Sequence, residues 1–275
     1  MNDAMRLYVL GIEVRISSDS ECADSLEQLK GAWAGCREPT MPTYRQVEIH
    51  LHATPGGAAV LVDGKLQDVT MRRDHGQWLI EQYIYSALGE PGAPNHASFH
   101  AACVANDEFA WLLTGESNSG KSSLSLAALR AGYGYLSDDH VVTDGTWLWG
   151  LSRAVQFNRV ARPDRLAPWL RSGLQQRPLS VLEGADFQPF FNPPASQWLH
   201  RLPTQRVSVV RVRRADETSV RHAGPVDALN WLIAASHAPP PLNLGGLLAT
   251  GRAYYLEWRT PEEGLIALES AQRGS

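Results

Sequence analysis

Gly115-Glu116-Ser117-Asn118-Ser119-Gly120-Lys121-Ser122 is an ungapped match to the pattern Gly, four residues, Gly, Lys and Ser or Thr, and it constrains the fold more than any other stretch of the chain. Such a loop works only between a strand and a helix. Ala110 to Thr114 ahead of it is a short apolar run of strand type, and behind it Leu124, Ala128 and Ala131 recur at helical spacing until Gly132 supplies a stop. The order matters because glycines let the backbone turn tightly, so that successive amide N–H groups and the positive end of the new helix converge on phosphate oxygens. In that arrangement Lys121 neutralises the β- and γ-phosphates, Ser122 ligates Mg²⁺, and Gly115 through Ser123 is the nucleotide-binding stretch. A Gly/Ser-rich surface turn is the alternative, and the flanking strand and helix argue against it.

Past Lys121, a short strand from Tyr133 to Leu136 leads straight into Asp138 and Asp139. A carboxylate at a strand end facing a phosphate loop can hold Mg²⁺ or take a proton from an attacking hydroxyl. Adjacent carboxylates repel, so a cation near one of them is the natural compensation, and Asp138 is assigned to the metal with Ser122.

The order His100, then GESNSGKSS, then a helix, then LSDD resembles the catalytic half of bacterial HPr kinase/phosphorylase and its related kinases. The resemblance is strongest over Phe99 to Val142. It implies an α/β fold with a P-loop kinase core of the HPr kinase/PEP carboxykinase-like type behind a β-rich N-terminal part. Residue by residue, it implies that His100 is the catalytic His, Lys121 the loop Lys and Asp139 the base. ATP and Mg²⁺ are then the cofactors, and a serine hydroxyl on a protein or peptide is the acceptor. The family's later Arg/Gly-rich signature, associated with phosphorylase activity, has no counterpart in this chain, and no match is found for the later Glu that helps hold the metal. Relatives lacking that signature include kinases that modify precursor peptides, such as lasso peptide precursors. A kinase or phosphorylase for a small-molecule hydroxyl and a non-catalytic ATP-sensing regulator are the rival readings.

A chain of 275 residues can bury one large core or two smaller ones. A net charge of −4 with mixed signs gives no broad basic surface, which argues against nucleic acid as a partner. The patches Arg72-Arg73 and Arg211 to Arg214 read as solvated strand ends. Cys22, Cys36 and Cys103, an odd number without metal-ligand spacing, suggest reduced thiols in a cytoplasmic protein. No run approaches transmembrane length and the N-terminus lacks signal-peptide character, so no membrane role is expected; homo-oligomerisation is left open.

Along the chain, Leu7, Val9, Ile12 and Val14 suggest a hairpin around Gly11, and Leu26, Leu29 and Trp33 fit one face of a short helix. Val47, Ile49 and Leu51 alternate with polar residues, and Asp63-Gly64 turns a second hairpin. His50 and His52 share the wetter face of that strand and read as a solvated pair, with a metal pair as the alternative. Trp78 to Leu88 reads as a helix, and the Gly/Pro loop Glu90 to Ser98 holds the boundary between residues 1–95 and a catalytic domain over 96–275. Phe99 to Val104 and Phe109 to Leu113 are expected to pair antiparallel, bringing His100 beside the strand that feeds the loop. A further hairpin turns at Asp144-Gly145, with His140 either drawn into the site or solvent-exposed. One of the arginines between Arg153 and Arg177 is expected to reach phosphate. Ser180 to His200, rich in Pro and aromatics, reads as an irregular substrate-binding lid or surface linker. Val207 to Val212 and Arg252 to Trp258 read as strands. Pro225 to His237 reads as a helix with Leu229, Leu232 and Ile233 inward, ended by Pro239 to Pro241, and Thr260 to Glu263 caps the last helix.

Overall fold

The computed structural model describes residues 3–71, 76–89, 96–156, 174–178, 187–237, 244–249 and 252–274. The chain divides into two compact units, Met1–Glu90 with Ser152–Asn192, and Pro91–Leu151 with Pro193–Ser275.

In the first unit, Asp3–Val9 (β1), Ile12–Ser18 (β2), Arg45–Thr54 (β3), Gly57–Val62 (β4) and Lys65–Thr70 (β5) form one sheet in that order, with only β2 and β3 parallel. Leu10 and Gly11 have φ of 49° and 84°, and Asp63 and Gly64 have φ of 49° and 75°, the left-handed pairs that a two-residue hairpin turn requires. Val14 lies opposite both Leu7 and Val47, and Leu51 opposite Val60, so their side chains share one face, and all five are buried. Ala23–Ala32 (α1) and Gly76–Gly89 (α2) pack on this sheet, burying Leu26, Leu29 and the following Trp33 as the spacing predicts.

Residues 152–192 group with this unit, whereas the sequence reading ran the catalytic part unbroken from 96 to 275. Val155–Gln156 (β12), Leu174–Pro178 (β13) and Phe187–Phe191 (β14) pair antiparallel in a sheet of order β12-β14-β13. Backbone and side-chain bonds then tie the segment to the end of α1: Ala154 N–H donates to Ala32 O (2.9 Å), Cys36 Sγ to Ser152 O (3.2 Å) and Asn192 Nδ2 to Gly31 O (3.1 Å). Part of the stretch read as irregular is therefore strand β14, followed by a 3₁₀ turn at Ala195–Gln197. Residues 180–186 lie outside the described residues, as do Arg72-Arg73, 90–95 and Pro239 to Pro241.

Among the described residues the second unit holds two sheets. Ala97–His100 (β6), His140–Thr143 (β10), Trp147–Gly150 (β11) and Arg201–Pro203 (β15) form an antiparallel sheet of order β15-β11-β10-β6. Ala102–Ala105 (β7), Ala110–Thr114 (β8), Gly134–Ser137 (β9), Val207–Arg214 (β16), Ser219–Ala223 (β17) and Ala253–Trp258 (β18) form the larger one, order β17-β18-β16-β8-β7-β9. In it β8, β16 and β18 run parallel. Its central strands are buried on both faces, which is why they read as continuous apolar runs. Trp111, Leu113, Val210 and Val212 share a core with Leu124 and Ala128 of Lys121–Arg130 (α3) and with Leu265 and Leu268 of Pro261–Arg273 (α6). On the other face Leu112, Cys103, Val207 and Val209 share a core with Phe99, Val141 and Leu148 of the smaller sheet and with Pro225–Ala235 (α4) and Gly245–Leu248 (α5).

Helix α4 buries Ala228 and Leu232, an i,i+4 pair, while Ile233, expected inward, is 49% exposed. The cap of α6 forms as read, with Thr260 Oγ1 accepting from Glu263 N–H at 3.3 Å. Among the described residues no helix is long and apolar enough to cross a membrane.

Candidate functional site

Because β7 is antiparallel to both β8 and β9, the C-terminal ends of β8 and β9 and the N-terminal end of β7 fall on the same edge of the six-stranded sheet. The parallel strands β16 and β18 end there too. Ligands of open α/β sheets gather at this carboxyl edge.

The glycine loop leaves β8 at this edge and closes into α3. Asn118 (φ 65°) and Gly120 (φ 97°) take left-handed conformations to make the turn, and a Cβ at Gly120 would stand 2.0 Å from Cζ2 of the buried Trp258. Gly120 is the N-cap of α3 and offers no side-chain cap, so the first-turn N–H groups are not met by a capping oxygen. Ser119 Oγ is buried without a hydrogen-bond partner, an unsatisfied polar atom in the loop itself. Lys121, only 6% exposed, donates from Nζ to Gly115 O (2.9 Å) and Glu116 O (3.2 Å). Burial lowers its pKa most, with Arg211 adding to that, while Asp139 and Asp138 push it back up, so both carboxylates act on the ammonium. A cradle of this shape with a cation inside fits polyphosphate.

His100 reaches the site by a different route from the one expected. Phe99 to Val104 is not one strand: it leaves the smaller sheet after His100 and enters the larger one at Ala102, and only the second part pairs with β8. The chain from β9 to β10 crosses between the same two sheets at Asp138-Asp139. The two crossings lie side by side, tied by Ala101 N–H donating to Asp139 O (3.0 Å), with His140 paired opposite His100. This places His100 Nδ1 2.9 Å from Asp139 Oδ1, with the two side chains 42% and 26% exposed.

Asp138 differs from its neighbour. It is 6% exposed and accepts a hydrogen bond from Tyr135 Oη at 2.9 Å. A buried carboxylate and the Ser122 hydroxyl are hard oxygen donors of the kind Mg²⁺ takes. The partly exposed Asp139 is the one open to an incoming hydroxyl.

Three residues stand at the site that the sequence did not assign to it. Arg211, read as a solvated strand end, stands beside Thr114 in the β8–β16 register, with Nη2 3.7 Å from Glu116 Oε1. Arg214 Nη2 donates to Ser123 Oγ at 3.2 Å and lies over the Trp258 ring at 5.1 Å. The parallel pairing of the strand after a glycine-loop strand was the signal that could have placed both. His237 stacks on His140 at 4.1 Å and lies edge-on to His100 at 6.2 Å; partial burial lowers its pKa first, and His100 adds to that. His140, for which exposure was one expectation, is buried, its Nε2 2.9 Å from Ser98 Oγ.

Of the arginines expected to offer a phosphate contact, Arg153 lies in the first unit, its guanidinium 5.6 Å from the Trp33 ring and 5.1 Å from that of Tyr85. Arg159, Arg162, Arg165 and Arg171 lie outside the described residues.

No family model matches the chain, and no curated protein matches it. Among solved structures it is similar to the Hpr(Ser) kinase/phosphatase from Coxiella burnetii, at 14% identity over 65% of this chain and 99% of that one, with a TM-score of 0.30.

Proposed function

We propose that the chain is an ATP-dependent kinase with a P-loop core of the HPr kinase/PEP carboxykinase-like type, transferring the γ-phosphoryl group of ATP to a serine hydroxyl of a protein or ribosomally made precursor peptide. The observation that carries the reading is the 2.9 Å contact of His100 Nδ1 with Asp139 Oδ1 at the sheet edge where the glycine loop begins. A module that only senses nucleotide needs the loop and its lysine. It has no use for a partly exposed carboxylate oriented by an imidazole and acting electrostatically on that lysine.

The loop amides, Lys121 and Arg211 hold the charge of the phosphates. Ser122 and Asp138 would hold Mg²⁺, which would supply positive charge to the phosphate oxygens. Asp139 accepts the proton of the attacking hydroxyl as its oxygen bonds to the γ-phosphorus and the bond to the β-phosphate oxygen breaks, releasing ADP. His100 holds the Asp139 carboxylate in place. The polypeptide acceptor follows from the resemblance in motif order and from the missing Arg/Gly-rich signature.

The test is transfer itself. Wild-type protein with ATP and Mg²⁺ should add one phosphate to serine-containing members of a peptide library, read by mass spectrometry, and Lys121→Ala should weaken ATP binding and abolish transfer. Unchanged ATP affinity in a calorimetric titration of Lys121→Ala, together with unchanged transfer, would sink the assignment. Transfer to free metabolites with no peptide requirement would replace the acceptor class.

A further inference from the structure

We infer that the N-terminal unit carries a Zn²⁺ site built from Asp19, His50 and His52, independent of the phosphate chemistry. The two histidines sit two residues apart on β3, so their side chains leave the same face of the sheet, opposite buried Ile49 and Leu51. Asp19 follows the end of β2 and is held at β3 by two backbone bonds: its own N–H donates to Leu51 O (3.0 Å), and its Oδ2 accepts from Ala53 N–H (3.0 Å). The carboxylate therefore does not depend on the histidines for its position. One ligand atom from each of the three residues lies within 4.8 Å of the others.

One of the two separations is that of neighbouring metal ligands, and the other is that of a hydrogen bond. Two ligands at roughly 2.0–2.1 Å from a tetrahedral Zn²⁺ stand about 3.3 Å apart. His50 Nε2 is 3.3 Å from Asp19 Oδ1, long for a charge-assisted hydrogen bond and right for two neighbouring ligands. His52 Nδ1, at 2.7 Å from Asp19 Oδ2, is at hydrogen-bond distance and turns outward to share an ion, exchanging that bond for coordination. The other nitrogen of His50 is accounted for: Nδ1 is 2.8 Å from Ser17 Oγ, and a proton there leaves the Nε2 lone pair facing the carboxylate side. Metal-bound histidines characteristically anchor their second nitrogen in this way.

Two imidazole nitrogens and one carboxylate oxygen form a borderline donor set that suits Zn²⁺ and discriminates against Mg²⁺, which prefers oxygen alone. The His52 side chain is 56% exposed, so the fourth position is open to water. An ion there would tie the junction of β2 and α1 to β3, and its binding energy would add to the stability of the fold.

The experiment uses the full chain, stripped with a chelator and titrated with ZnCl₂ by calorimetry in excess Mg²⁺, with unfolding midpoints recorded alongside. The expected result is one equivalent bound with a Kd of about 1 μM or tighter and a raised midpoint. His52→Gln, at an exposed position that should not disturb folding, should weaken binding at least about tenfold, and His50→Gln with His52→Gln should remove it. Binding of equal affinity and stoichiometry in the double variant, or no zinc binding by the wild type below about 10 μM, would overturn the site and leave the cluster as a hydrogen-bonded ion pair.

Discussion

Asp139→Asn is the sharpest test of the proposed chemistry, because the substitution keeps the shape of the side chain and removes the charge that receives a proton. General base catalysis is worth about 10²- to 10⁴-fold, so kcat should fall by at least about 10²-fold, or about 2.7 kcal/mol in the barrier. The fold should hardly notice. The His100–Asp139 pair is 42% and 26% exposed, and a polar contact so open to solvent contributes about 1 kcal/mol or less to stability. A loss of activity on this scale with an unchanged unfolding midpoint is therefore chemical, not structural. ATP affinity should change little, since the loop amides and Lys121 remain; a modest loosening is expected because the Asp139 carboxylate supports the charged form of Lys121. Steady-state ADP release and peptide phosphorylation give kcat, and calorimetry gives nucleotide affinity. His100→Ala should lose less, and the double variant should lose less than the two losses combined, since the pair acts as one unit. If Asp139→Asn transferred phosphate at the wild-type rate while Asp138→Asn was dead, the roles of the carboxylates would be exchanged. If both variants were fully active, the mechanism would fall.

Three further outcomes follow from the same geometry. Gly120→Ala puts a methyl 2.0 Å from Trp258 Cζ2 at a φ of 97°, so thermal unfolding should show a loss of at least about 2 kcal/mol, and ATP binding should go with it. Arg211→Gln removes a guanidinium beside the loop and should weaken ATP binding about tenfold with a shallower salt dependence; unchanged affinity by calorimetry would return Arg211 to a surface role. Burial pushes the Cys36 thiol up to about 12 from an ordinary 9.0, so the folded state keeps a proton that the unfolded chain releases. Its contribution is complete below about pH 9 and is lost as pH rises through about 12, and urea unfolding of Cys36→Ala should show a flatter decline over that window than the wild type.

What the sequence revealed and what it concealed divide along one physical line, the range over which each signal acts. The glycine loop was legible because its strand, turn and helix are contiguous and each residue answers to its neighbours. The hairpins at Gly11 and at Asp63-Gly64 were legible for the same reason, since positive φ at two adjacent positions is a local demand. The change of sheet at Ala101 was not, because Phe99 to Val104 holds no turn residue, and the burial of Phe99 before the crossing and of Ala102 to Val104 after it erases the break that would mark two strands. Motif order put His100 near Asp139, but the two crossing chains are what bring them to 2.9 Å. Arg211, His237 and the placement of 152–192 all depend on partners distant in the chain, and Asp19 joins His50 and His52 only because β2 lies parallel to β3. The same dependence explains why the candidate site collects at one sheet edge. The loop lysine, the carboxylates after β9 and the guanidinium of β16 are groups of modest strength, and the registration of β8 with β16 and, through β7, with β9 brings them together without requiring them to be close in sequence. A substitution that weakened β8–β16 pairing should therefore cost nucleotide affinity even though it touched no residue of the loop.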